Sequence, residues 1–511
     1  MARALALLLL ALALPAAADA RPRRDFPRGF LWGTAIAGFQ SEAGGPRVNG
    51  DRRSDWWRWV RDPDNLRAGR VSGDLPENGP GHWSVFRRDA RLARRRLHAG
   101  AFRLSLEWSR IFPRSTARVR VGRRIDRRDL RRLDRLASTR AVRHYARELA
   151  YLRRLGMRTF VTANHYTLPV WLHDPIAVRD ALAGRGPDDP LPDHLRRGGW
   201  LHRRTVAEFR KYAAYLAWKL GRRVDLWAPL NEPVVVVASG YVNVPGAFAG
   251  NFPPGALSYS GAIVALRNLE RANTVAYDAI KRFDRRSPVG LVQNMIAFTP
   301  RGRAATRHAD YLFNQLFLNA AVRGNLDADG DGRLERGERR RHGRKADFIG
   351  VNYYFRGRVT ALGESLSRSI PVLDFVPRTS WRWAGDPGAP PCPTTCSDFG
   401  SEIFPEGFRR VLREAGSYHL PVYVTENGIA DADDDQRPAF LRRHLRVLRE
   451  AMRDRLARVR GYFEWSLVDN FEWSSGFAPK FGLFSFDPLT LERTARPSAR
   501  LFGRIARSGW L

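Results

Sequence analysis

Eight short apolar runs, each followed by a longer segment of helical periodicity, constrain the fold of this chain more than any other feature. They are FLWGTAIAG from Phe30, FRLSLEW from Phe102, RTFVTANHY from Arg158, LWAPLNE from Leu226, VGLVQNM from Val289, FIGVNYY from Phe348, VYVTENG from Val422 and GYFEWSL from Gly461. Their alternation with amphipathic stretches, such as 202 to 221 and 436 to 458, is typical of repeated β-α units. Because the runs number eight and no glycine-rich phosphate loop follows the first, the sequence predicts an α/β fold, a closed (β/α)8 (TIM) barrel rather than an open doubly wound sheet.

The predicted barrel occupies one domain, residues 21–511. A chain of this length could hold several average domains, but no low-complexity linker divides it, and large α/β barrels reach this size. Five long intervals are rich in Pro, Gly, Asp and Trp, and we expect them to be extended loops, most of them on the active face. They cover residues 41 to 82, 112 to 140, 172 to 200, 240 to 258 and 360 to 400.

The first twenty residues, MARALALLLLALALPAAADA, have the composition of a secretory signal peptide. Arg3 precedes a run of leucine and alanine, and the stretch ends in Ala18-Asp19-Ala20, a small-residue pattern after which we expect cleavage. An uncleaved signal anchor is the alternative. The sequence therefore predicts an exported protein, secreted, periplasmic or associated with the cell envelope, whose mature part has no transmembrane segment.

The chain carries a formal net charge of +35, from 87 Lys and Arg against 52 Asp and Glu. Such an excess can indicate a nucleic acid or another polyanion as partner. Here the excess is almost all Arg, spread over predicted helices from Arg87 to Arg504, and no known nucleic-acid-binding module is present. We therefore expect no specific nucleic-acid partner, although the basic segment 114 to 158 would adhere to polyanions at low salt.

Two cysteines, Cys392 and Cys396, lie in the Pro-rich stretch PCPTTC. A zinc site needs further Cys or His ligands, and no His cluster flanks this pair. In an exported chain, a local disulfide that fixes the loop is the favoured interpretation.

The stretch DADGDGRLERGE, residues 327–338, gathers acidic residues in an otherwise basic chain and has the spacing of an EF-hand calcium loop. Positions one, three, five, seven and twelve are occupied by Asp327, Asp329, Asp331, the backbone carbonyl of Arg333, and Glu338, with Gly332 at position six. Because only one such loop is present, a solvated acidic turn is the alternative. The spacing predicts a structural calcium ion.

Polar side chains gather where the apolar runs end, which in a parallel barrel is the face that holds the active site. The runs end in or near His165, Asn231, Glu232, Asn352, Tyr353, Tyr354, Glu426, Asn427 and Trp465. Glu232 and Glu426 follow the fourth and seventh runs, on opposite sides of an eight-stranded ring, so they can face each other across a substrate. Paired carboxylates of this kind suggest glycosidic cleavage, in which one carboxyl stays protonated and the other ionised. Arg103, in the second run, could hold an adjacent carboxylate ionised.

These motifs resemble the β-glycosidases of glycoside hydrolase family 1 over nearly all of residues 26 to 508. FLWGTAIAGFQSE, RLSLEWSRIFP, LNEP, FIGVNYY, VTENGIA and WSLVDNFEWSSGF appear in the order of that family, and residues 55 to 83 are similar to its archaeal branch. The resemblance implies a retaining mechanism, with carboxyl groups about 5 Å apart and a covalent glycosyl-enzyme intermediate. It also implies that catalysis needs no cofactor.

By this resemblance Glu426 is the nucleophile, Glu232 is the acid/base, and Asn231 binds the sugar 2-hydroxyl. Arg103 and Tyr354 match positions that flank the nucleophile. The positions that contact the glycone, the sugar that is transferred, are matched by Gln40, His165, Asn231, Trp465, Glu472, Trp473 and Phe481.

The resemblance also bears on the substrate. Glu472 would accept hydrogen bonds from the 4- and 6-hydroxyls but repel a 6-phosphate, which implies neutral sugars. The sequence departs from the family pattern at Tyr166, Pro229 and Ser401, and the first of these alters the wall of the glycone site. Trp381 and Trp383 are interpreted either as a platform for the aglycone, the leaving portion, or as packing anchors. Three other acids, Glu107, Glu402 and Glu406, are interpreted as structural.

The sequence thus predicts hydrolysis of small-molecule or oligosaccharide β-glycosides that carry a terminal non-reducing neutral sugar, such as glucosides or galactosides. Transglycosylation at the same site is one alternative, because an acceptor sugar can replace water. A non-catalytic carbohydrate- or polyanion-binding protein on this scaffold is the other.

Overall fold

Eight parallel strands form a ring at the centre of the protein. The computed structural model describes residues 24–242, 250–340, 343–361 and 374–511. The strands of the ring are β1 (Leu31–Ala35), β2 (Ala101–Ser105), β3 (Arg158–Asn164), β4 (Leu226–Leu230), β5 (Gly290–Asn294), β6 (Phe348–Tyr353), β7 (Pro421–Asn427) and β8 (Arg458–Trp465). Neighbours in the chain are neighbours in the ring, and β8 pairs with β1. Between β4 and β5 the ladder is reduced to two parallel bridges, Trp227 with Val289 and Asn231 with Val292. The predicted (β/α)8 barrel is confirmed, whereas the predicted signal peptide lies outside the described residues.

Helices surround the ring and return the chain from the end of one strand to the start of the next. The longer ones are His82–Arg95, Thr139–Arg154, Arg203–Leu220, Tyr259–Phe283, Pro405–Gly416, Arg437–Arg453 and Pro497–Ser508. Shorter ones are Gly38–Ser41, Asp55–Trp59, Pro63–Arg67, Trp108–Ile111, Arg127–Asp134, Pro175–Leu182, Pro233–Tyr241, Ala304–Asp310 and Leu316–Leu318, with π-helical segments at Tyr311–Gln315 and Asn319–Arg323 and 3₁₀ turns at Pro76–Asn78, Gly199–Leu201, Gly221–Arg223 and Trp473–Ser475. Across the described part of the chain, no helix combines the length and the apolarity that a membrane span needs.

The prediction of helices at 202 to 221 and 436 to 458 is confirmed, but the prediction of long loops is wrong in part. Three of those intervals contain short helices, because side-chain caps satisfy their free N–H groups. Ser54 caps one of them, and Asp126 forms a capping box with Asp129 in another. Asp174 caps a third, which begins with Pro175. Residues 243–249 and 362–373 of the remaining intervals lie outside the described residues.

Apolar side chains fill one end of the barrel interior. The cluster consists of Ala101, Phe160, Leu226, Ala228, Val292, Phe348 and Phe463, all buried. The ring of Phe160 meets those of Phe348 and Phe463 edge to face, with centroids 5.5 and 5.7 Å away. At Gly33 a Cβ atom would lie 2.4 Å from the ring of Phe463, so only glycine fits there. The barrel is therefore a packed core at this end, and its polar groups gather at the other.

Two small sheets extend the barrel. One contains Ala297–Thr299, Arg356–Ala361 and Phe375–Arg378, and the other pairs Phe484–Phe486 with Arg493–Ala495. Beside the first sheet, Cys392 and Cys396 form the predicted disulfide, with their sulfurs 2.01 Å apart. Glu402 is buried and accepts hydrogen bonds from Arg356 and Arg358, in agreement with a structural role.

A buried charged network holds the first long helix against distant parts of the chain. The ring of His82 lies 2.7 Å from both Asp89 and Glu148. Asp89 also accepts a hydrogen bond from Arg493, which lies near the C-terminus of the chain. Burial alone would lower the pKa of His82, but the carboxylates of Glu148 and Asp89 outweigh it and raise that pKa to about 10. The imidazolium form is therefore the one that this network stabilises.

The raised pKa of His82 makes stability depend on pH. Its contribution is fully present below the ordinary His pKa of about 6.5 and is lost as the pH rises through about 10. We therefore expect the Tm of the wild type to fall between about pH 7 and about pH 10, and His82→Gln to flatten this dependence. Calorimetry at closely spaced pH values measures the effect. His308→Gln, which removes a more exposed His–Asp374 pair, is the matched control, and an unchanged slope in His82→Gln would contradict the assignment.

Candidate active site

Glu232 lies just beyond β4, where the chain turns into the helix Pro233–Tyr241. Its backbone has the left-handed conformation, with φ of 45°, which is costly for a residue other than glycine. Pro233 starts the helix immediately after it, with the φ that a first helical residue needs. The turn holds the Glu232 side chain at the polar end of the barrel, where the residue is only 4% exposed.

The Glu232 carboxyl is held by neutral hydrogen-bond donors. Tyr166 donates its hydroxyl to Oε2, while Asn352 and Asn294 donate their amides to Oε1 at 2.6 and 3.3 Å. Burial, together with the negative charge of Glu426, raises the pKa of Glu232 to about 7. This carboxyl can therefore carry a proton near neutral pH and also lose it.

Glu426 lies near the end of β7, where the strand departs from regular pairing. The register shifts between Val424 and Glu426 in the ladder to β6, a bulge that changes the direction of the following side chain. Oε1 of Glu426 forms an ion pair with Arg103, and Oε2 accepts a hydrogen bond from Tyr354 at 2.5 Å. The surroundings of Glu426 thus contain a full positive charge, in contrast to those of Glu232.

Arg103 connects several strand ends. Besides Glu426, its guanidinium donates to the carbonyl of Thr425 at 3.3 Å and to Oδ1 of Asn231 at 2.5 Å. The Asn231 amide lies 3.2 Å from Nε2 of His165, which must accept because the amide can only donate. Burial and the charge of Arg103 lower the pKa of His165 well below its ordinary value, so the ring is neutral. These residues form one connected polar network.

A second set of polar side chains lies beside this network. Asn470 and Glu472 belong to the loop after β8, and Gln40 belongs to the helix Gly38–Ser41. Nε2 of Gln40 donates to Oε2 of Glu472 at 3.1 Å and to Oδ1 of Asn470 at 2.9 Å. The other amide atom of Gln40, Oε1, is buried and has no hydrogen-bond partner among the described residues. Burial and the charges of Glu426 and Glu232 raise the pKa of Glu472 to about 8. The site therefore offers a free acceptor and a carboxyl that can bond to the hydroxyls of a ligand.

Aromatic rings form the walls of this space. The ring of His165 lies nearly parallel to those of Trp465 and Trp473, with centroids 6.1 and 5.9 Å away. Phe481 meets Tyr354 edge to face at 6.0 Å. The structure thus brings together every predicted catalytic and glycone residue at the C-terminal ends of the strands.

The two loop tryptophans differ in their surroundings. Trp381 lies between the guanidinium groups of Arg358 and Arg378, at 5.9 and 5.6 Å. Trp383 packs edge to face on Phe399 at 4.8 Å, and Phe399 in turn lies against Phe481 at 6.4 Å. Trp383 is therefore connected to the aromatic wall through Phe399, whereas the ring contacts of Trp381 are with arginines.

The sequence predictions missed one residue that contacts Glu232 and understated two others. Asn294 ends β5 just as the predicted residues end their strands, so its position could have identified it. Asn352 was predicted to lie at a strand end, but its hydrogen bond to Glu232 was not predicted. Tyr166 was expected only as an altered wall. The direction of its hydroxyl depends on a left-handed backbone, with φ of 70°, which composition and spacing do not reveal.

A (β/α)8 barrel with two buried carboxyl groups in contrasting surroundings, beside aromatic walls and unsatisfied polar atoms, has the architecture of a glycoside-cleaving enzyme. Comparisons with known proteins agree. The family model Glycosyl hydrolase family 1 matches residues 22–177 and 190–509. The chain belongs to this family and is a β-glycosidase. Catalysis in this family needs no cofactor.

Individual relatives share nearly the full length of the chain. A beta-galactosidase from Pyrococcus woesei is 38% identical over 512 residues, which cover 94% of this chain and 96% of that protein. Beta-glucosidase A from Thermotoga maritima is 27% identical over 515 residues, covering 96% and 99%. The crystal structure of the β-glycosidase from the hyperthermophile Thermosphaera aggregans superposes with a TM-score of 0.82 at 36% identity and covers 95% of this chain and 97% of that one.

The contact between Tyr166 and Glu232 can be tested by Tyr166→Phe, which removes the hydroxyl and keeps the ring. A hydrogen bond to the ionised carboxyl lowers its pKa, so we expect its loss to raise the pKa of Glu232 above about 7. The alkaline limb of the kcat/KM profile should then move to higher pH by up to about one unit. Hydrolysis of an aryl β-glycoside across a pH series measures the shift.

Tyr353→Phe is the matched control, because its buried hydroxyl donates to the backbone carbonyl of Phe404 at 2.5 Å. We expect that variant to keep the wild-type limb. If the limb of Tyr166→Phe also stays in place, the hydroxyl has no influence on the proton of Glu232.

Proposed function

We propose that this protein is a retaining β-glycosidase in which Glu426 is the nucleophile and Glu232 is the acid/base. The observation that carries the proposal is the difference between their surroundings. Glu426 is paired with Arg103, whereas Glu232 has only neutral donors and a raised pKa. Retaining glycosidases require one carboxyl that stays ionised and one that exchanges a proton.

In the first step, a carboxylate oxygen of Glu426 attacks the anomeric carbon and the bond to the aglycone oxygen breaks. Glu232 donates its proton to that oxygen, and a covalent glycosyl ester forms on Glu426. The ester removes the negative charge of Glu426, which is one of the causes of the raised pKa of Glu232. Glu232 therefore becomes a stronger acid and remains ionised, as its role in the next step requires.

In the second step, Glu232 accepts a proton from water while the water oxygen attacks the anomeric carbon. The ester bond breaks, Glu426 regains its charge, and the sugar leaves with its original configuration. A sugar hydroxyl can take the place of water, which makes transglycosylation a side reaction at this site. Asn231, positioned by Arg103, would bond the 2-hydroxyl in both transition states.

We propose a neutral terminal sugar as the glycone. Glu232, Glu426 and Glu472 lie close enough to act on one another, and after burial the two catalytic carboxylates raise the pKa of Glu472. A phosphate or carboxylate on the sugar would add further negative charge there. The named relatives include both a beta-galactosidase and a beta-glucosidase, so glucosides and galactosides are the substrates to test. Trp383 is joined to the aromatic wall through Phe399 and is the proposed contact for the aglycone.

Two variants separate the roles of the carboxyl groups. We expect Glu426→Gln to abolish hydrolysis of every aryl β-glycoside, because no nucleophile remains. Glu232→Gln should slow substrates with poor leaving groups by roughly 10²–10⁴-fold. The rate of the glycosylation step should be largely kept for dinitrophenyl glycosides, because their leaving group needs no proton. Mass spectrometry should then detect the accumulated glycosyl ester, and NMR of the wild-type reaction should show the β-anomer first.

Each alternative has its own outcome. A first-formed α-anomer would contradict the retaining mechanism, and full activity in Glu426→Gln would contradict the choice of nucleophile. Sugar binding without turnover by the wild type would favour the non-catalytic protein. Glu406→Gln, which changes a carboxyl in the first turn of Pro405–Gly416, is the control and should keep wild-type rates.

We further propose that the protein is exported. The leader pattern at residues 1–20 and a disulfide between Cys392 and Cys396 both support this. When the full chain is expressed in a secreting host, the recovered protein should begin at Arg21. Ala20→Arg, which disrupts the small-residue site, should leave the leader attached. Wild-type protein that stays in the cytoplasm with its leader intact would overturn the proposal.

A further inference from the structure

We propose that the loop Asp327–Glu338, hereafter the acidic loop, binds one calcium ion, and that Glu270 on the neighbouring helix Tyr259–Phe283 adds a carboxylate to the site. The acidic loop lies in the connection from the segment Asn319–Arg323 to β6. None of its residues is among the proposed catalytic or sugar-binding groups, so the proposal does not rest on the catalytic mechanism.

The loop has a geometry suited to one hard cation. Carboxylate oxygens of Asp327, Asp329 and Asp331 all lie within 4.8 Å of one another. Ligands of one calcium ion, each about 2.3–2.6 Å from the metal, are spaced in this way. Gly332 occupies the turn with φ of 83°, and its N–H donates to Asp327 at 2.9 Å. The sixth position of a calcium loop needs such a left-handed residue.

The end of the loop returns to its beginning. The N–H of Leu326 donates to the carbonyl of Glu338 at 2.9 Å. The Glu338 carboxylate accepts hydrogen bonds from the N–H groups of Ala328 and Glu335 at 2.9 and 3.0 Å. The twelfth residue of the motif is thus folded against the first turn of the loop, where a calcium ion would need it.

A buried carboxyl outside the motif provides an independent indication. Glu270 is only 3% exposed, and its Oε1 atom has no hydrogen-bond partner among the described residues. Asp327 and Glu338 are close enough to act on it electrostatically, and one helical turn earlier Arg267 contacts the loop at the carbonyl of Ala328. An unsatisfied carboxyl in the interior is costly, and here it faces two acids of the loop. A divalent cation between them would balance all three.

Two arginines of the same helix, Arg267 and Arg271, lie near Glu270. Arg267 directs its Nε to the backbone carbonyl of Ala328. Arg271 and Arg267 also act on Glu270 electrostatically, each less strongly than Asp327 does. Tyr311 donates its hydroxyl to Asp327, which places a phenol ring beside the proposed site.

A second acidic triplet, Asp431, Asp433 and Asp435, shows the difference. Its oxygens are equally close together, but it has Gln436 and Arg442 where the motif needs Gly and Glu. The backbone N–H of Arg437 donates to the Asp431 carboxylate at 2.6 Å, and the Arg437 charge lowers the pKa of Asp431 against the effect of burial. The guanidinium of Arg437, which pairs with Asp434 and donates to the backbone carbonyl of Asp431, already lies beside this triplet, so the triplet serves as the control.

Calorimetric titration of calcium chloride into the chelator-treated full chain tests the proposal. We expect one site, with a Kd no weaker than about 10⁻³ M, and a Tm that rises with calcium. Asp327→Asn should remove both effects, and Glu270→Gln should weaken binding by about tenfold or more. Asp433→Asn should bind as the wild type does. Magnesium should bind at least about tenfold more weakly, because the loop offers a flexible cage.

Terbium provides a second readout that does not depend on stability. Its emission, excited through Tyr311, should appear on binding, should be displaced by calcium, and should fall in Tyr311→Phe. The Tm of each variant in chelator shows that it is folded. No heat and no Tm change at millimolar calcium would overturn the site. Wild-type affinity in folded Glu270→Gln would overturn the role of Glu270, and equal binding of magnesium would overturn the choice of calcium.

Discussion

The buried guanidinium of Arg103 is the interaction on which the active site depends. It is 1% exposed and contacts Glu426, the carbonyl of Thr425 and the amide of Asn231. A buried charge is tolerated only when it is paired and hydrogen-bonded. Phe160 lies beneath it, with the guanidinium 5.6 Å from the ring centroid, at the boundary of the apolar core. One charge on β2 therefore fixes groups from β4 and β7, and the packed interior prevents it from moving away.

The same charge makes the two carboxyl groups chemically different. Arg103 compensates the negative charge of Glu426, whereas the donors around Glu232 are a phenol and two amides. Because the two acids share a buried site, the ionised state of one opposes ionisation of the other. In the proposed mechanism, the proton is carried by Glu232 before the reaction. Once an ester forms on Glu426, this opposition ends. The proposed alternation of Glu232 between acid and base would thus follow from the position of a single arginine and would need no rearrangement of the fold.

Much of the fold and site could be predicted from the sequence, because both depend on local patterns. Alternating apolar runs and helical stretches identify the eight strands, and the place where each run ends identifies Glu232 and Glu426. Asn294 follows the same rule and was overlooked. The orientation of Tyr166 and the unsatisfied carboxyl of Glu270 could not be predicted. The first depends on a left-handed backbone, and the second on which face of a 25-residue helix meets a loop distant in the chain. Both depend on tertiary structure, which the spacing of residues in the sequence does not reveal.

The barrel also separates chemistry from stability. Three residues of the active face, Glu232, Tyr166 and Trp473, have an unfavourable backbone conformation with positive φ, and strain there helps to place side chains. The acidic loop, by contrast, lies outside the ring against the helix Tyr259–Phe283, where Arg267 donates to the carbonyl of Ala328. In a chain with net charge +35, the buried carboxyls of Asp327 and Glu270 lie apart from the arginines of the surface and must be balanced locally. A bound cation would meet that need and would also fasten a long connection to the helix behind it, without altering the charges that set the proton on Glu232.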